Sequence, residues 1–148
     1  MEFYWTLQKN NIKYKYKRRN LEVIKWFDIR EKDKNLIATI CDTNITLNKH
    51  SSIYLESAYT VMLGIDYSNK LIYIKPLNKD IATRGDIPTT SQYNISLRST
   101  YSRISNVEFI KEVKNILGIE NFKVNPKKYN VTYSEKDHCL VVDLKKEV

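Results

Sequence analysis

Glycine is scarce in this 148-residue chain, which has only Gly64, Gly85 and Gly118. Their separation excludes the Walker loop and the GxGxxG turn, the common backbone cradles for nucleotide phosphates. Cysteine is rarer still. Cys41 and Cys139 lie far apart and form no CxxC pair, so they supply neither a disulfide framework nor a tetrahedral zinc site, and free thiols in a reducing compartment are expected. The two histidines, His50 and His138, fall in a polar corner and a hairpin turn. His138 beside Cys139 reads as an exposed turn residue next to a buried strand thiol. No stretch approaches the roughly 20 apolar residues that span a bilayer. The N-terminal MEFYWTLQKNNIKYK lacks the apolar segment of a secretory signal. Glu108, Glu112 and Glu120 lie on or just beyond a helical pattern, where Glu108 and Glu112 suit an exposed face with Lys111 and Lys114, and no acid/base pair can be nominated. The expectation is a cytoplasmic protein outside the membrane, non-enzymatic, with no cofactor and no metal.

What the chain does have is positive charge, unevenly placed. The net charge is +8, and residues 1–19 carry Lys9, Lys13, Lys15, Lys17, Arg18 and Arg19 against Glu2 alone, a local excess of +5. Such a field concentrates polyanions and supplies the non-specific part of nucleic-acid affinity. The same lysines would also guard an edge strand and aid solubility.

Within the basic end, Ile12-Lys13-Tyr14-Lys15-Tyr16-Lys17 alternates at period two, the pattern of a strand with one cationic face. Leu21 to Ile29 reads as a short helix capped by Asn20 or, because β-branched and aromatic residues dominate, as a second strand. A charged turn over 30–35 precedes a strand at Leu36–Ile40. Ile45–Leu47 and Ile53–Leu55 read as short strands meeting at a polar corner, residues 48–52. Val61–Asp66 and Leu71–Lys75, separated by Tyr67-Ser68-Asn69-Lys70, form the clearest hairpin, with Pro76 expected to end it. Residues 77–94 have the composition of a connecting loop. Beyond it, Val107, Phe109, Ile110, Val113, Ile116 and Leu117 fall at helical spacing, Asn106 can cap, and Gly118 is placed to stop the helix. Tyr129–Tyr133, the turn 134–138 and Cys139–Leu144 form a second hairpin.

The two halves run in the same order. Ile95-Ser96-Leu97 repeats Ile45-Thr46-Leu47 fifty residues on, Ser102-Arg103-Ile104 answers Ser51-Ser52-Ile53, and a helix or its remnant and a hairpin follow. Duplication is sensible when neither half can close its own sheet, so that two copies bury one core. The expected organisation is a basic N-terminal extension at 1–44, strands packed on the core, then a first repeat half at 45–76, a connecting loop at 77–94 and a second half at 95–148.

The stretch ISLRSTYSRISNVEFIKEVKNILGI, Ile95 to Ile119, resembles the AbrB/MazE-type swapped-hairpin DNA-binding family through its strand, its polar turn ending in Arg103-Ile104 and its helix closing in Leu117-Gly118-Ile119. The hairpin at Val131–Leu144 would complete the unit, and residues 45–75 resemble a degenerate copy. The resemblance implies an α+β, β-dominated fold in which two swapped-hairpin-like halves form a single-chain pseudo-dimeric, β-barrel-like core with one clear helix at about 106–117. It also implies a DNA-binding regulator whose corner and helix cations meet DNA, carried here by Lys49, His50, Arg98, Arg103 and Lys111. With the basic strand, the candidate nucleic-acid-binding residues are Lys13, Lys15, Lys17, Arg18, Arg19, Lys49, Arg98, Arg103 and Lys111. DNA is favoured over RNA. The alternative is a protein–protein interaction module, antitoxin-like or a phage-encoded inhibitor, meeting an acidic protein surface. A homodimer is left open.

Overall fold

The structure, a computed structural model, describes residues 3–8, 11–16, 23–26, 35–122 and 125–148. The chain divides into two compact units, residues 1–32 and 33–148. In the first, β1 (Phe3–Gln8), β2 (Asn11–Tyr16) and β3 (Val23–Lys25) form an antiparallel sheet with β2 in the middle. The expected strand at 12–17 is thus β2 up to Tyr16. The segment 21–29 is a strand at Val23–Lys25, which ends before Trp26; Leu21, Glu22 and Phe27–Ile29 lie outside the described residues, as does most of the turn at 30–35.

The second unit is built on one sheet of eight antiparallel strands, curled into a half-barrel. Its first elements are β4 (Ile37–Ile40) and β5 (Asn44–Asn48), then the short helix α1 (Lys49–Ile53). A hairpin follows, β6 (Thr60–Asp66) and β7 (Leu71–Leu77). After it come α2 (Lys79–Thr83) and a 3-10 turn at Thr89–Ser91. The chain continues through β8 (Ser96–Leu97), β9 (Tyr101–Ser105) and α3 (Val107–Leu117) to the last hairpin, β10 (Lys127–Ser134) and β11 (Cys139–Glu147). The order across the sheet is β6-β7-β11-β10-β4-β5-β9-β8.

Alternation along each strand puts one face into the core: Ala38 and Ile40, Ile45 and Leu47, Ser102 and Ile104, Tyr129 and Val131, Leu140 and Val142, Ile72 and Ile74 are all buried. Across this face lie Leu55, Phe122 and, from α3, Phe109, Ile110 and Val113. Each such aliphatic side chain contributes about 1.5–3 kcal/mol on leaving water. The helix α3 forms where its caps and apolar stripe place it. The Asn106 side chain accepts from the Phe109 N–H at 2.8 Å. At the other end Gly118 adopts φ 69°, a left-handed stop that a side chain would strain. Val107, counted on the apolar stripe, is exposed instead, because the first helical residue points off the end of the packed face.

Four expectations are corrected. Ile53–Leu55 is not a strand: Asn48 caps a helical turn there, accepting from Ser51 N at 3.1 Å, and the turn buries Ser51, Ser52 and Leu55. Pro76 does not end β7, which continues to Leu77. Val61, opposite Pro76, directs its N–H and C=O to Tyr93 on its other side, at 3.0 and 2.8 Å, so β6 asks no hydrogen bond of Pro76, and β11 pairs only with Leu71–Ile74. The segment 77–94 is not plain loop, since it contains α2, the 3-10 turn and the Tyr93 bridge to Val61. Lastly, Ser102-Arg103-Ile104 is not a corner but the middle of β9, which pairs with β5 over its whole length. The strand registered against β5 is therefore β9, while Ile95–Leu97 supplies only the two-residue edge strand β8.

Candidate nucleic-acid interface

Of the basic-strand candidates, Lys13 and Lys15 lie on β2, the central strand of the small sheet, and the register sets Lys13 opposite Lys25 of β3. Lys17, Arg18 and Arg19 lie outside the described residues.

The corner candidates separate. Lys49 opens α1 and Arg98 follows β8; together with Ser52, Ile53, Glu56, Leu97 and Ser99 they line an open cleft of about 180 Å³. The Arg98 N–H donates to Tyr101 O at 2.9 Å, closing the β8–β9 turn. His50, half-buried, sits in the same helical turn as Lys49. Lys111 is on the outward side of α3, exposed and ion-paired to Glu108 at 3.2 Å, a pair worth a few tenths of a kcal/mol in water. Lys114, expected beside these carboxylates, instead reaches Asp42 at 3.1 Å, where both side chains are about four-fifths covered. Asp42 also accepts the Phe122 N–H, so this carboxylate fastens both α3, through Lys114, and the following segment to the β4–β5 turn.

Arg103 points the other way. Its neighbours Ser102 and Ile104 are buried under the core, so alternation puts Arg103 on the sheet face turned away from α3. Its guanidinium lies 5.4 Å from the centre of the Tyr101 ring, two residues along the same face, within range of cation–π attraction. The pairings continue this position across the sheet: Ser96 on β8 opposes Arg103, which opposes Thr46 on β5, which opposes Thr39 on β4, which opposes Lys128 on β10. Flanking positions on the same face are Asn44, Asn48, Ile37, Ser105, Asn130 and Thr132. None of these residues is buried, and none is Asp or Glu. Among the described residues no ion pair engages Arg103 or Lys128. The first carboxylate met, Asp143 on β11, is held by Lys145 at 3.4 Å.

Lys128, Tyr101, Thr39 and Thr46 were not singled out in the sequence. Strand alternation marks each as outward-facing, but only the long-range register brings them into one row. A second open cleft, of about 480 Å³, lies between Asn35, Leu71, Asn130, Thr132, Asp143 and Lys146. Among the described residues there is no group of three or more His, Cys, Asp and Glu placed to share a metal ion, and no helix is long and apolar enough to cross a membrane. No protein-family model, no curated protein and no solved structure matches the chain.

Proposed function

We propose that this protein binds nucleic acid without catalysing a reaction on it, as a DNA-binding regulator of the AbrB/MazE kind would. The observation that carries the reading is the placement of charge. Residues 1–32 hold nine cations against four anions, +5 of the total +8, and their central strand sets Lys13 opposite Lys25. A polyanion that meets this local excess of cations releases condensed counterions.

The pseudo-dimeric, swapped-hairpin form of the fold belongs to the same proposal. It is supported by two runs in one order, β5–α1–β6–β7 and β9–α3–β10–β11, whose first strands pair with each other and whose last strands pair with each other. Both hairpins turn over four residues, and both turns end on a left-handed non-glycine residue, Lys70 at φ 54° and His138 at φ 50°.

The test is a fluorescence-anisotropy titration with duplex and single-stranded DNA and RNA at two salt concentrations. Affinity falls steeply with salt, and neutralising Lys13, Lys15, Lys17, Arg18 and Arg19 removes most of it; salt-independent binding sinks the reading. The competing reading, a protein–protein module, draws on Ile53, Tyr54 and Tyr59, which are 48%, 41% and 53% exposed around the end of α1. A complex that survives nuclease treatment favours it.

A further inference from the structure

The basic end accounts for attraction to any polyanion and leaves open what the large sheet does with it. Resting on the nucleic-acid reading, we infer that the sheet face turned away from α3 is a platform for single-stranded nucleic acid, laid across β10, β4, β5 and β9 between Lys128 and Arg103.

The two cations stand three strand spacings apart, about 14 Å, joined by Thr39 and Thr46. Exposed cations at both ends, hydroxyls between them and no carboxylate on the intervening strands match a chain whose backbone is anionic and whose bases present donors and acceptors. Arg103 rests over Tyr101, so a planar cation and an aromatic ring offer adjacent stacking surfaces for unpaired bases. A duplex keeps its bases stacked inward and admits a reader only as a helix or ribbon that enters a groove. This face projects neither, because its strands are paired edge to edge across the row and α3 lies on the other side. The preference is therefore for unpaired strands. Asn48, at the end of the same face, is already committed to Asn35, Ile37 and Ser51, which leaves the Thr39–Thr46–Arg103 row as the accessible part.

The experiment uses the full chain and anisotropy titration with a fluorescent mixed-sequence DNA 20-mer, as a single strand and as its duplex, with an RNA 20-mer in parallel. The variants are Arg103→Ala, Tyr101→Ala, Tyr101→Phe and Thr46→Glu, with Lys136→Ala, at an exposed position in the turn between β10 and β11 and outside the row, as the charge control. The single strand binds more tightly than the duplex. Tyr101→Ala weakens it about tenfold, in the range found for loss of one base–aromatic stack, whereas Tyr101→Phe retains binding. Arg103→Ala and Thr46→Glu weaken the single strand more than Lys136→Ala does. Should Thr46→Glu fail to fold, the Tyr101 pair still decides, since Phe keeps the ring. Single-strand affinity unchanged in Arg103→Ala and Tyr101→Ala, while the wild type still binds in a salt-dependent way, overturns the platform and spares the broader reading. Absence of binding by any nucleic acid at low salt overturns both. Complete displacement by poly-glutamate at matched charge also overturns the platform, because charge alone, or an acidic protein, then explains the affinity.

Discussion

Three neighbouring serines have unequal consequences. The Ser52 hydroxyl lies 2.8 Å from Asn48 O and 3.1 Å from Leu47 O, and it is 2.8 Å from the Ser102 hydroxyl on β9. With one proton to give to the backbone, Ser52 accepts from Ser102. Ser52→Ala therefore leaves the fully buried Ser102 donor without an acceptor and costs about 2 kcal/mol. Ser102→Ala leaves Ser52 still donating to the backbone and costs about 1 kcal/mol. The double variant costs less than the sum. Ser51 is also fully buried, but its Oγ has no partner, so Ser51→Ala is neutral or stabilising. Urea unfolding of the four variants checks the order. None of this was legible in the sequence, where Ser51 and Ser52 look like solvent-facing corner residues. A second residue-scale effect is alkaline. Burial, reinforced by Asp137 and opposed by Lys75, raises the Cys139 thiol above its ordinary 9.0. Burial and then Glu147 raise the Tyr129 phenol above 10.0. The folded chain holds both protons more tightly than the unfolded chain. Stability is therefore full below about pH 9 and falls as pH rises through the raised values. Thermal melts across this range show the decline, and Cys139→Ala delays its onset; a midpoint flat to pH 11 contradicts it.

At the scale of elements, the sequence disclosed what local chemistry dictates and concealed what burial dictates. The helix α3 and both hairpins were legible because their caps, turn residues and periodicities lie within the element itself. The helix α1 was not, since Lys49-His50-Ser51-Ser52-Ile53 has little apolar stripe and forms because Asn48 caps it and Leu55 enters the core. It is tied down further by Tyr54 stacking on Tyr133 of β10, 4.3 Å between ring centres. Strand β9 was misplaced because Tyr101-Ser102-Arg103 in succession resembles a polar turn until β5 and β8 pair on either side. Asn48 shows how far a cap can reach. Its Oδ1 accepts from Ser51 N and from Ile37 N at 3.2 Å, and its Nδ2 donates to Asn35 O, so one side chain closes α1 and the start of β4. Asn78, capping the exposed α2 through Ile81 N at 2.9 Å, does only the first job. Asn48→Ala should cost about 2 kcal/mol, at the top of the range for lost caps, and Asn78→Ala about 1 kcal/mol or less. Equal denaturation midpoints for the two would show that the link to β4 contributes nothing. Asn48→Asp keeps the acceptor, loses the donor and falls between them.

For the whole molecule, the division at residue 32 separates most of the net charge from the large sheet and its core. The buried hydrophobic residues of the large sheet's unit run from Ala38 to Leu144, while most of the net charge precedes Asp33. The strand periodicity and the charge excess of the basic end were legible in the sequence. Where the compact units divide was not, because Ile37–Ile40 join the large sheet by pairing with Lys127–Asn130 some ninety residues later. A chain beginning at Asp33 should therefore keep its far-ultraviolet signal and a cooperative thermal transition. Its net charge drops from +8 to +3, sixteen cations against thirteen anions. If the basic end supplies the long-range attraction and the Arg103 face the selection for unpaired strands, the truncated chain binds more weakly at low salt and with a shallower salt slope, each lost phosphate contact removing about 0.7 from the slope for a single strand. Its preference for single strand over duplex remains, and remains sensitive to Tyr101→Ala. If truncation instead abolishes that preference while the fold survives, discrimination resides in residues 1–32, and the large sheet is their scaffold rather than a second binding surface.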